Sequence, residues 1–211
     1  MRPTPGNHDY ATLGAVGYFR YFGSRAGPKR RGYYGFDAGT RCIYALDSNC
    51  RVGGKCRKGS AQSRWLKADL ERNPKRCVMA VLHHPHFSSG RHGTSGKTMP
   101  LVRLLYRAGA EIIVNAHDHV YERFAPDRSR GTIDREHGTR QFIVGTGGAP
   151  LYSFKSSRPA HSRKRNRSTY GVLKLVLEWD RHTWKILPAG KGTFTDSGKE
   201  MCHDPPPATG S

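Results

Sequence analysis

The ten residues Cys77-Val-Met-Ala-Val-Leu-His-His-Pro-His86 decide how this chain is read, because an unbroken apolar run ends abruptly on histidines. A run of that length suits a buried strand, and the proline after it stops the ladder from continuing. Toward the C-terminus the same layout recurs: Ile112-Ile-Val114 leads into Ala116-His117-Asp118-His119, two imidazoles flanking a carboxylate. Toward the N-terminus, Gly6-Asn7-His8-Asp9 opens the chain. Three separated segments thus carry polar, metal-competent side chains where strands or turns end.

The stretches between them supply the fold class. Arg41 to Leu46 is β-like. Ala61, Trp65 and Ala68, with Leu66 and Leu70, lie at helical spacing behind Ser60 as N-cap, and Asn73-Pro74 stops that helix because the residue before proline avoids the α region. Leu101, Leu104, Leu105 and Ala108 form a second apolar stripe closed by Gly109. This β-α-β-α-β order predicts an α/β fold, a sheet with covering helices, in which ligands gather at the carboxyl ends of strands. His83 and His117 both stand there. Farther on, Gln141 to Val144 is a short strand running into Gly145-Thr146-Gly147-Gly148, which lacks the lysine and following helix of a P-loop and reads as a tight turn at a cleft rim. Leu173, Leu175, Leu177 and Trp179 alternate along a longer strand, Asp180-Arg181-His182 turns the chain, and Trp179 and Trp184 are expected to form a cross-strand core pair.

With 211 residues, one domain suffices. Lysine and arginine exceed aspartate and glutamate by twenty, and the isoelectric point is about 10.2, so phosphate esters, nucleic acid and anionic head groups are all attracted. The basic run Arg158 to Arg167 has no interleaved aromatic residue and reads as a solvated loop. A mean hydropathy of -0.70 coexists with clear apolar runs, so a folded core with polar loops fits better than disorder. No apolar segment has the length of a membrane span, and Met1 to Pro5 leads into the first motif without the apolar core of a signal peptide. The five cysteines show no Cys-x-x-Cys spacing. Cys50 and Cys56, with Gly53 and Gly54 between them, are the favoured disulfide, which suits an oxidising compartment.

Taken in order, Gly-Asn-His-Asp, His-His-Pro at a strand end, and Ala-His-Asp-His-Val-Tyr-Glu-Arg resemble the motifs of calcineurin-like metallophosphoesterases, in particular the purple acid phosphatase-like branch. Phe87-Ser88-Ser89-Gly90, Gly145 to Gly148 and Tyr170 to Leu175 extend the resemblance over most of the chain. It implies a metallophosphatase-type β-sandwich flanked by helices in α/β/β/α layers, and two metal ions drawn from iron, zinc and manganese. By that resemblance Asn7, His83 and His117 bind one metal and His119 binds its neighbour. His8 stabilises charge on the phosphoryl group, Asp9 orients the His8 imidazole, and His92 protonates the leaving alkoxide. Two such metals, about 3.5 to 4 Å apart, acidify water and clamp phosphate oxygens for in-line displacement.

The chain departs from the family pattern at Ala116, where the family commonly has glycine, and more consequentially ahead of Asn7. Asp-x-His and Gly-Asp-x-x-Tyr motifs precede Gly-Asn-His in the family, whereas six residues precede Asn7 here and no Gly-Asp dipeptide occurs. Asp180-x-His182 lies on the wrong side of the histidine motifs and is read as a coincidence. The expectation is therefore the C-terminal portion of a phosphoesterase, with 1-200 a partial domain, 201-211 a disordered tail, and the carboxylate that bridges two metals missing. The expected activity is hydrolysis of phosphomonoesters, incomplete in this chain alone. The alternative is an inactive basic module that binds anions or nucleic acid. His84 and His86 are read as lining the cleft, and His137, His161, His182 and His203 as loop or turn residues without a role. The resemblance and the Cys50–Cys56 pair point to a secreted or extracytoplasmic setting.

Overall fold

A computed structural model describes residues 1–207. In chain order its helices are α1 (Val16–Phe22), α2 (Ala61–Arg72) and α3 (Met99–Arg107). Its strands are β1 (Tyr34–Ala38), β2 (Arg41–Leu46), β3 (Cys77–Leu82), β4 (Ala110–Asn115), β5 (Tyr121–Phe124), β6 (Arg140–Val144), β7 (Ser162–Asn166), β8 (Gly171–Leu177), β9 (Arg181–Pro188) and β10 (Ser197–Met201). The apolar run at Cys77 becomes β3, third in a seven-stranded sheet of order β1-β2-β3-β4-β6-β5-β7. Its pairings with β2 and β4 are parallel, as is that of β4 with β6.

Alternation along β3 sorts its side chains between two cores, since successive residues of a strand point to opposite faces. Val78, Ala80 and Leu82 face the helical side, where Leu66 of α2 and Leu101 and Leu105 of α3 close the first core. Met79 and Val81 face the other side, where Trp184 and Ile186 of β9 and Leu173, Leu175 and Leu177 of β8 complete the second. A second sheet, ordered β10-β9-β8, thus stacks on the first. Ser60 caps α2, its hydroxyl accepting a hydrogen bond from the Ser63 amide, and Gly109 follows α3 with a positive φ of 74°.

Several expectations need correction. Trp184 is buried, but Trp179 is 66% exposed in the β8–β9 turn, so the two do not pair. Trp184 instead stands opposite Leu175 and Gly198, with Phe142 edge-on at 5.6 Å. The basic run at Arg158 is not a plain loop: Ser162–Asn166 is an edge strand on β5, and its cations discourage pairing with other chains. His161 and His182 are both buried, and His182 lies within β9, because strand alternation turns it inward. Of the expected tail, Met201 ends β10 and Cys202 is buried in a disulfide with Cys77 that joins the two sheets, while residues 208–211 lie outside the described residues. Cys50–Cys56 is also formed, and Cys42 is left as a buried free thiol.

Candidate metal centre

The carboxyl ends of β3 and β4 lie side by side, and backbone clamps hold the turns that follow them. Asn115 donates from its amide to the carbonyls of Leu82 at 2.7 Å and His84 at 3.3 Å, and the Ala116 amide donates to His83 O at 3.0 Å. His117 then takes a left-handed conformation, φ 61°, which is unfavourable for a residue with a Cβ and reverses the chain at the strand end. The outcome is a close meeting of side chains. His83 Nε2 lies 2.7 Å from Asn7 Oδ1 and 3.2 Å from His117 Nδ1, and His117 Nδ1 lies 3.1 Å from Asn7 Oδ1. Gly6 lets the chain pass close to the His83 ring, since a Cβ there would stand 3.0 Å from it.

Electrostatics suit these rings to hold a cation. Burial first, then the neighbouring imidazoles, push His83 down to about 3 and His117 down to about 4; burial also lowers His84. All three are therefore neutral near pH 7 and keep a lone pair for a metal. Neutral imidazole nitrogens with one amide oxygen are donors for zinc, iron or manganese, so the residues fit the metal that the motifs imply. One residue joins them that the motifs did not select. His84 falls in the same group as His83 and His117, with a ligand atom from each within 4.8 Å of the others.

The other expected site residues are placed as follows. His92 is exposed at the cleft, its ring stacked on His117 with centroids 4.2 Å apart. His8 is exposed, and the carboxylate of Asp9 accepts from the Gly6 amide at 2.7 Å, closing the Gly-Asn-His turn on itself instead of reaching the His8 ring. His119 turns away from the cluster, its Nδ1 2.8 Å from Pro150 O and its ring stacked on Tyr152 at 4.1 Å. Asn7, Ser48, His84, His92, Lys97 and His117 all line a cleft of about 500 Å³. His86 is held between two backbone carbonyls, its Nδ1 2.9 Å from Ser95 O and its Nε2 3.0 Å from Ser129 O.

Asp118 is the positioning residue that the pattern of histidines concealed. It is fully buried between the two imidazoles and accepts from the His92 amide at 2.8 Å and from the Ser88 hydroxyl, so it holds the loop that carries His92. Gly90 allows this, since a Cβ there would lie 2.6 Å from Asp118 Cγ. Gly145 packs against the same turn, since a Cβ there would lie 2.0 Å from Asp118 O. Gln141 braces the His-His-Pro-His loop, accepting from the amides of His86 and Phe87 and donating to Phe87 O. The only hint in the sequence was the polar residue between two histidines.

A family model for calcineurin-like phosphoesterases matches residues 1–121, more than half of the chain. The chain belongs to the calcineurin-like phosphoesterases. Within that family it falls in the purple acid phosphatase-like branch. Purple acid phosphatase 21 of Arabidopsis thaliana is 31% identical over 125 residues, covering 50% of this chain and 28% of that protein. Purple acid phosphatase 22 of the same plant is 28% identical over 154 residues, covering 62% and 33%. The yellow lupin (Lupinus luteus) purple acid phosphatase PPD1 superposes with a TM-score of 0.69 at 19% identity, over 82% of this chain and 33% of that one, which shows the shared fold. A Plasmodium protein described as GAP50, the anchor in the inner membrane complex, gives 0.58 at 18% identity over 78% and 52%. This calcineurin-like phosphoesterase chain thus spans about a third of the length of the curated relatives it matches.

Proposed function

We propose that this phosphoesterase chain hydrolyses phosphate monoesters at a metal held by Asn7, His83 and His117. One observation carries the reading: an amide oxygen and two imidazole nitrogens, from segments up to 110 residues apart, meet within 3.2 Å. A metal bound there supplies Lewis acidity, polarising the phosphoryl group and making water more acidic. The chain's own groups do the rest. Lys97 and the positive excess of the protein draw the ester into the cleft. His92, stacked on His117, gives its proton to the leaving alkoxide as the bond to phosphorus breaks, and one proton of the water that forms the new bond returns to His92. In this reading His8, exposed and adjacent to Asn7, donates to a phosphoryl oxygen. Two disulfides favour an oxidising compartment.

The test is metal analysis of the purified protein with p-nitrophenyl phosphate turnover. His117→Ala is expected to lose bound metal and turnover together; turnover that persists in metal-free protein overturns the proposal.

A second reading, the anion-binding module, draws on a different feature. A groove of about 540 Å³ between α2 and α3 is bordered by Lys58, Arg64, Lys67, Arg103 and Arg107, with no carboxylate in its lining. This reading predicts retention on heparin that falls steeply with salt and is weakened by Arg103→Glu and Arg107→Glu, while His117→Ala leaves it unchanged.

A further inference from the structure

We infer that His84 is a metal ligand and that Asn7, His83, His84 and His117 make a single-ion site. The inference rests on the reading above that Asn7, His83 and His117 hold a metal. The three imidazoles enclose one small volume: ring centroids are 4.9 Å apart for His83 and His84, 5.0 Å for His83 and His117, and 4.3 Å for His84 and His117. Small side-chain adjustments bring a nitrogen of each onto one ion, as their mutual limit of 4.8 Å indicates.

Ser48 prepares the His84 ring for this role. Its buried hydroxyl oxygen accepts from the His84 amide at 2.8 Å and lies 3.0 Å from His84 Nδ1. Because Ser48 Oγ takes up the Nδ1 edge of the ring, Nε2 is the nitrogen available to an ion, in the tautomer that carries its proton on Nδ1, as when an outer partner orients a metal-binding histidine. His119, whose Nδ1 lies 2.8 Å from Pro150 O and whose ring stacks on Tyr152, stands outside this group of three. Three imidazole nitrogens and one amide oxygen give four protein donors to one ion such as zinc, which can expand to a fifth position for the water or ester of the reading above, and among the described residues no carboxylate joins this group to bridge to a second ion.

Cobalt(II) titration of the apo-protein, followed by visible absorption, tests this without any substrate. Wild type is expected to bind one cobalt per chain with the intense absorption of four-coordination. His84→Gln should weaken binding by more than tenfold and lower that intensity, Ser48→Ala should weaken it about tenfold, and His119→Ala should change neither. Thermal unfolding of the apo-variants separates lost ligation from lost folding. Cobalt binding that His84→Gln leaves intact but His117→Ala abolishes overturns this inference alone. So does a second cobalt that disappears in His119→Ala, whereas wild type that binds no cobalt overturns the parent reading as well.

Discussion

Asp118 shows how a residue between two histidines sets the shape of a cleft without touching what binds there. Its carboxylate holds the His92 amide and the Ser88 hydroxyl in a place that water does not reach. Asp118→Ala leaves both donors unpaired, so stability should fall by about 1–3 kcal/mol for each. Urea unfolding measures the loss, and proteolysis should cut first between Ser88 and Lys97. His182 makes the complementary case. It is fully buried, neither ring nitrogen has a hydrogen-bond partner, and burial, only partly offset by Glu200, pushes it down to about 4. A folded-state value below the unfolded one of about 6.5 means that the folded protein binds fewer protons in this window. The stability is present above that unfolded value and is lost as pH falls toward 4, by roughly 3 kcal/mol in the limit. His182→Leu should remove this acid sensitivity in urea titrations at pH 5 and 7; an unchanged pH slope would show that His182 is not its source.

At the scale of elements, the strands read as strands because each buries a face, and the places where prediction failed are those where a neighbour outranks the local pattern. Trp179 continues the alternation of β8 on paper, yet the hairpin turns before it and Gly198 brings β10 against Trp184 instead. Gly198→Ala would place a Cβ 2.2 Å from the Trp184 ring. Either β10 moves away or the ring leaves its seat between the sheets, and overpacking of this kind costs about 1–3 kcal/mol. Differential scanning calorimetry and the near-ultraviolet circular dichroism of Trp184 report it. The basic edge strand β7 was equally hidden, since its cations look solvated until β5 supplies the ladder.

For the whole molecule, the covalent and hydrogen-bonded links between the two sheets matter most. Arg41, almost fully buried, pairs with Glu111 at 3.4 Å and donates to the Arg181 carbonyl at 3.0 Å, joining the first sheet to the β8–β9 turn. Beside it the Cys77–Cys202 disulfide closes a separation of 125 residues, whereas Cys50–Cys56 closes only 6. Chain entropy alone assigns the long link about 5 kcal/mol and the short one about 2. Cys77→Ala with Cys202→Ala should therefore lower the unfolding midpoint by clearly more than Cys50→Ala with Cys56→Ala, and equal losses would refute the ordering.

Local pattern by itself determined the strand at Cys77, the two covering helices, and the three segments that carry Asn7, His83 and His117, because apolar periodicity and strand ends are properties of neighbouring residues. Cys50–Cys56 was legible for the same reason, its partners being joined by a short glycine-containing loop. Which histidines meet was decided by tertiary structure. The sequence motifs favoured His119 as a ligand and left His84 lining the cleft, but the β3 turn carries His84 into the cluster while the turn after His117 carries His119 to Pro150. The buried supports, Asp118, Gln141, Arg41 and the Cys77–Cys202 link, were invisible for a related reason: a polar side chain takes its role from partners that only the stacked sheets bring within hydrogen-bonding distance.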